Sequence, residues 1–78
     1  MGMEALIQVD SYRDQLGWEW CDLKYSNVDG FWTASAYGQG EGEHAEAKHT
    51  DPEDACWRLV VKLMKRLNEP VPDYLEKI

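Results

Sequence analysis

Three glycines, three glutamates and two histidines crowd into the twelve residues GQGEGEHAEAKH, Gly38–His49. Histidines beside carboxylates could hold a divalent metal, and spaced glycines could wrap a phosphate. Neither arrangement closes. His44 and His49 are five apart, an odd number, so a regular strand directs them to opposite faces. His44 and Glu46 share a face, but two ligands do not complete a site, and no cysteine lies at ligand spacing. Gly38-x-Gly40-x-Gly42 lacks the lysine and Ser/Thr of a phosphate-binding loop, and Glu41 and Glu43 would oppose a triphosphate. The stretch therefore predicts a flexible glycine-bearing hairpin connection leading into a surface strand, with no metal and no cofactor.

Catalysis would need a nucleophile with a base in reach, or two carboxylates in unlike environments. Cys56 falls in the first turn of a helix, where the dipole can lower a thiol pKa, yet it sits on that helix's apolar stripe and is expected to be buried. Cys21 and Cys56 are too few and too far apart for a disulfide framework, and are expected to be small core residues. The acids are scattered over solvated positions. The expectation is a protein that is not an enzyme.

Charge carries more information. The 78 residues hold fifteen acids and eight bases, a net charge of −7. Residues 1–54 hold twelve acids against Arg13, Lys24 and Lys48, a balance of −9; residues 55–78 hold three acids against five bases, or +2. Affinity for a phosphate backbone comes from lysines and arginines displacing counterions, so direct nucleic-acid binding is disfavoured. A partner protein with a basic surface is favoured. No apolar run approaches the ~18 residues of a membrane span. The N-terminal MGMEALIQVD has no basic region followed by a cleavable apolar stretch, so a cytoplasmic location, in a bacterial host cell, is expected.

The elements that must position these residues form a single domain, 1–78. TDPEDACWRLVVKLMKRLNEP starts a helix, capped either by Asp51 ahead of Pro52 or by a Thr50–Glu53 box. Its stripe is Cys56, Leu59, Val60, Leu63 and Leu67, widened by Trp57, Val61 and Met64, with Arg58, Lys62, Lys65 and Glu69 on the far side. Pro70 and Pro72 are expected to stop it, leaving a tail with room for a short turn. Three strands precede it. GWEWCDLKYS places Cys21, Leu23 and Tyr25 on one face and Trp18, Trp20, Asp22 and Lys24 on the other. Asp29-Gly30 supplies a hairpin turn. FWTASAYG places Trp32, Ala34 and Ala36 opposite Phe31, Thr33, Ser35 and Tyr37, and EHAEAKH places Ala45 and Ala47 opposite His44, Glu46 and Lys48. The paired alanines make a shallow floor for the long helix. MEALIQVDSYRDQLG is a helix or, for its first seven residues, a strand; helix is preferred, with the stripe Ala5, Leu6, Val9, Tyr12 (or Arg13) and Leu16. The fold class is α+β: a three-stranded antiparallel sheet flanked by an N-terminal helix and a long C-terminal helix, αβββα.

Two features offer a partner surface. One is an acidic set, Glu41, Glu43, Glu46, Asp51, Glu53 and Asp54, placed where the third strand meets the long helix; its alternative role is solubility and helix capping. The other is an aromatic face of Trp18, Trp20, Phe31 and Tyr37. That face is either open to a partner, including a second copy in a homodimer, or covered by the N-terminal helix through Leu6, Val9 and Leu16.

The αβββα order, with a third strand running into a long helix, resembles the double-stranded-RNA-binding domain. That family grips phosphates with lysines at the start of its second helix. Asp51, Pro52, Glu53 and Asp54 stand there in this chain, so the resemblance implies the topology without the RNA function. Residues 30–64, GFWTASAYG and then AEAKHTDPEDACWRLVVKLM, are similar to small phage-encoded domains called the phage ABA sandwich, through Gly30, Trp32, Ala47, Thr50 and Ala55. HicB antitoxins resemble the same region, but their Pro-x-x-Pro-Gly segment has no counterpart. These resemblances imply a phage or mobile-element accessory protein without an inherited active site. The expected function is non-catalytic binding of a host protein, of the anti-CRISPR or anti-restriction kind, at a basic nucleic-acid-binding surface. A homo-oligomeric assembly protein using the aromatic face is the alternative.

Overall fold

The computed structural model describes residues 4–78; Met3, the first residue of the expected N-terminal helix, lies outside the described residues. The chain runs α1 (Glu4–Gln15), β1 (Trp20–Ser26), β2 (Phe31–Tyr37), β3 (His44–His49), α2 (Pro52–Arg66) and a one-turn α3 (Asp73–Glu76). This is the αβββα order expected from the sequence, with α3 occupying the tail.

The strands pair antiparallel in the order β1-β2-β3. Trp20 lies across from Tyr37 and Leu23 across from Ala34, while Ala34 and Ala36 lie across from Ala47 and Ala45. Strand side chains alternate between faces, so Ala34, Ala36, Ala45 and Ala47 form one patch, and all four are buried. The small methyl groups let α2 approach closely, and Leu59, Val60, Leu63, Cys56 and Ala55 fill the layer above them. Ala5 and Val9 of α1 enter this same core. Both long helices therefore lie on one side of the sheet, and α1 does not cover the other side.

Each helix ends by a local device. Asp51 is extended and its carboxylate accepts from the Asp54 N–H at 2.9 Å, with Pro52 at the first helical position; of the two expected caps, this is the one formed. α2 stops at Asn68, which adopts φ 59° while the Glu69 N–H donates back to the Met64 carbonyl at 2.9 Å. Asparagine tolerates this left-handed conformation better than other non-glycine residues. The prolines at 70 and 72 come after a helix that has already ended, and Leu67, expected on the buried stripe, is only half-buried. At the end of α1, Gly17 (φ 74°) makes the corresponding turn, and the Trp18 N–H returns to the Arg13 carbonyl at 3.0 Å.

Candidate functional site

The side of the sheet away from the helices carries three rows set by the register. Trp20, Tyr37 and His44 form an aromatic row, with Trp20 and Tyr37 stacked at 5.6 Å between ring centroids and Tyr37 and His44 at 6.5 Å. Asp22, Ser35 and Glu46 form an acidic row, and Lys24, Thr33 and Lys48 a basic one. Phe31 closes the far end. Tyr37 and His44, with the acidic and basic rows, line a shallow groove of about 650 Å³; Trp20 and Phe31 lie outside its lining. Trp20 and Phe31 are 45% and 38% exposed, so the aromatic face is open rather than covered.

Trp18 is not part of it. It is only 5% exposed and belongs to the core. The expected alternation began too early: the left-handed turn at Gly17 directs Trp18 inward before β1 starts at Trp20. Once there, its ring receives the Arg66 guanidinium at 5.1 Å, and its carbonyl accepts from Arg13 Nη1.

The acidic set is not one patch either. Glu41 and Glu43 lie at the β2–β3 connection, Glu46 on the sheet face, and Asp51, Glu53 and Asp54 beyond the other end of β3. Six strand residues separate the groups, about 20 Å. Their roles also differ. Glu43 folds into its own loop: its carboxylate accepts from the Gly40 N–H at 2.7 Å and its carbonyl from the Gly38 N–H at 2.8 Å. A Cβ at Gly38 or Gly40 would stand 2.6 or 2.8 Å from Glu43 Oε1. The glycine-rich run thus makes room for the chain's own carboxylate. Asp51 is consumed by the helix cap, and Asp54 faces His49 Nε2 at 3.8 Å. Glu41, Glu43, Glu46, Asp51 and Glu53 have no cationic side chain within 4.0 Å among the described residues.

The reason lies on α2. Arg58, Lys62 and Arg66, four residues apart, donate to the backbone carbonyls of Lys48, Glu46 and His44, two residues apart on β3. Four helical residues rise about 6.0 Å and two strand residues about 6.6 Å, so the two repeats match. Arg66 also reaches the Gly42 carbonyl at 3.2 Å. These cations seal the edge of the sheet instead of neutralising carboxylates. Arg58 and Lys62, with Lys48, Lys65 and Lys77, line a groove of about 590 Å³ between α2 and the C-terminal turn, which Glu76 also lines. The molecule is consequently polarised: a basic strip along the β3 edge and carboxylates at both ends of β3.

His44 is exposed on the outer sheet side. His49 is turned towards α2, where its Nδ1 accepts from the Asp51 N–H at 3.0 Å. The geometry thus separates the two histidines. Cys56 is buried and Cys21 partly so. Burial first, then Cys21 and Glu53, push the Cys56 thiol up; burial first, then Asp10, push Cys21 up against an opposing pull from Arg13. Burial, reinforced by Glu69, does the same to Tyr12. Raised values keep both thiols in the protonated, weakly nucleophilic form.

Because these folded pKa values exceed the unfolded ones, the contribution to stability is complete below pH 9.0, the ordinary thiol value, and is lost as pH rises through the folded values. The urea midpoint is expected to hold from neutral pH to about pH 9 and then fall. Cys56→Ala should flatten that fall; an identical alkaline slope in the variant would show that Cys56 does not contribute.

Among the described residues no helix is long and apolar enough to cross a membrane. Compared with known proteins, the chain matches no family model, no curated protein and no solved structure.

Proposed function

We propose that the protein is a non-catalytic binding module whose partner is a protein with a basic, nucleic-acid-binding surface. The observation that supports this reading is the one-sided use of charge. α2 commits Arg58, Lys62 and Arg66 to the carbonyls of β3, so Glu41, Glu46 and Glu53 remain uncompensated. Their field attracts a cationic partner and accelerates encounter. The open sheet face between the acidic ends, with Trp20 and Phe31 exposed, supplies aromatic area to hold the complex. Resemblance to small phage domains extends the proposal to a phage or mobile-element accessory protein acting in the bacterial host cytoplasm. There it would occupy the nucleic-acid groove of a defence enzyme in the manner of anti-CRISPR or anti-restriction inhibitors.

Capture from bacterial lysate at low and moderate salt tests this reading. The expected result is retention of nucleic-acid-binding proteins at low salt, their release as the screening length shortens, and their displacement by added duplex DNA. Capture that is insensitive to both salt and DNA would contradict it.

A further inference from the structure

The sheet has two edges, β1 and β3, and the chain treats them differently. The β3 carbonyls of His44, Glu46 and Lys48 turn outward to α2. Backbone groups alternate sides along an antiparallel ladder, so Ala45, Ala47 and His49 bond to β2. Carried across the register, Phe31, Thr33, Ser35 and Tyr37 of β2 bond to β1, through Trp20, Asp22, Lys24 and Ser26. The N–H and C=O groups of Cys21, Leu23 and Tyr25 are left facing outward. Among the described residues, no side chain and no backbone segment outside the sheet bonds to them. An uncovered seven-residue edge is a template for another strand.

We infer that β1 is the seam of a homodimer: two copies join β1 to β1, antiparallel about a two-fold axis at Leu23, in one six-stranded sheet. The register follows from charge. Outward-facing groups meet one another with the axis at Asp22, Leu23 or Lys24. At Asp22 the two aspartates would oppose each other, and at Lys24 the two lysines, which is unfavourable in either case. At Leu23 the strands overlap over their full length, and Cys21 meets Tyr25 of the other copy in a hydrogen-bonded pair. Asp22 then lies across from the other copy's Lys24, twice, on the same sheet face. The Leu23 side chains meet beside the core, and Tyr25, 54% exposed in the single chain, gains cover. Closed two-fold pairing of this kind ends after two copies. It uses the strand edge, whereas the proposed partner binding uses the acidic ends and the outer face, so each can hold without the other.

Sedimentation equilibrium of the full chain from micromolar to millimolar concentration provides the test, with circular dichroism confirming that each variant is folded. The parent chain is expected to show a monomer–dimer equilibrium. Asp22→Lys alone sets lysine against lysine, and Lys24→Asp alone sets aspartate against aspartate. Each is expected to weaken dimerisation about 30-fold, because two attractive cross-strand pairs become repulsive. Mixed in equal amounts, the two variants regain complementary pairs and should form a heterodimer, read as an intermediate mass by native mass spectrometry. A parent chain that stays monomeric at millimolar concentration would overturn the inference. So would single variants that dimerise like the parent, or a mixture that forms no heterodimer.

Discussion

Leu59→Ala is expected to remove about 2–5 kcal/mol of stability, a large share of what the fold has. Leu59 is fully buried in the layer between α2 and the alanine patch. Truncating a buried leucine costs about 2–5 kcal/mol, from lost transfer energy and from the cavity left behind. A chain of 78 residues has a total stability of about 4–12 kcal/mol. The cavity would be hard to refill, because Ala34, Ala36, Ala45 and Ala47 across the layer have no longer side chains to swing in. Urea unfolding followed by tryptophan fluorescence checks this, and Trp18 in the core is a suitable reporter. A loss below about 1 kcal/mol would mean that the helix and sheet can collapse onto the gap.

The second large effect concerns the cation ladder. Replacing Arg58, Lys62 and Arg66 together by methionine keeps most of their aliphatic length but removes every donor to β3. Each lost hydrogen bond costs about 1 kcal/mol at an exposed position, so about 3 kcal/mol for the bonds to β3 alone, with the Arg58 bond to the Ile78 carbonyl and the Arg66 bond to the Gly42 carbonyl lost as well. Arg66 adds its contact with the Trp18 ring. The variant also frees the carbonyls of His44, Glu46 and Lys48, giving the sheet a second open edge. Lower stability together with concentration-dependent aggregation is expected, measured by urea titration and light scattering. Loss of stability without aggregation would show that α2 shields the edge sterically and that the donors are dispensable for that purpose.

The elements were legible because their patterns are long and mutually consistent. The period of α2, the alternation in β2 and β3, the Asp51-Pro52 start and the Asp29-Gly30 turn all agree, and the alanine floor follows from two strands read side by side. What was not legible depends on one residue's backbone angle or on tertiary pairing. Gly17 in a left-handed turn moves Trp18 from the sheet face to the core, and strand alternation cannot register that. Asn68 ends α2 by the same kind of turn, while Pro70 offered a more familiar stop. Arg58, Lys62 and Arg66 look like a solvated helical face; only the pairing of a four-residue helical repeat with a two-residue strand repeat reveals their carbonyl partners. The signal was present as a basic i, i+4, i+8 series beside an edge strand.

The acidic set illustrates the same limit. Residues 41–54 are close in sequence, but a six-residue strand carries its two halves to opposite ends of the sheet. Glu43 and Asp51 serve the loop and the helix cap, whereas Glu41, Glu46 and Glu53 stay available.

The most direct measurement compares lysate capture by the parent chain with capture by a variant carrying Glu41→Gln, Glu46→Gln and Glu53→Gln. These changes shift the net charge from −7 to −4 and leave the loop, cap and core intact. At one low salt concentration, the variant should lose most of the basic nucleic-acid-binding proteins that the parent retains. The same proteins recovered in the same yield from both would show that these carboxylates do not select the partner.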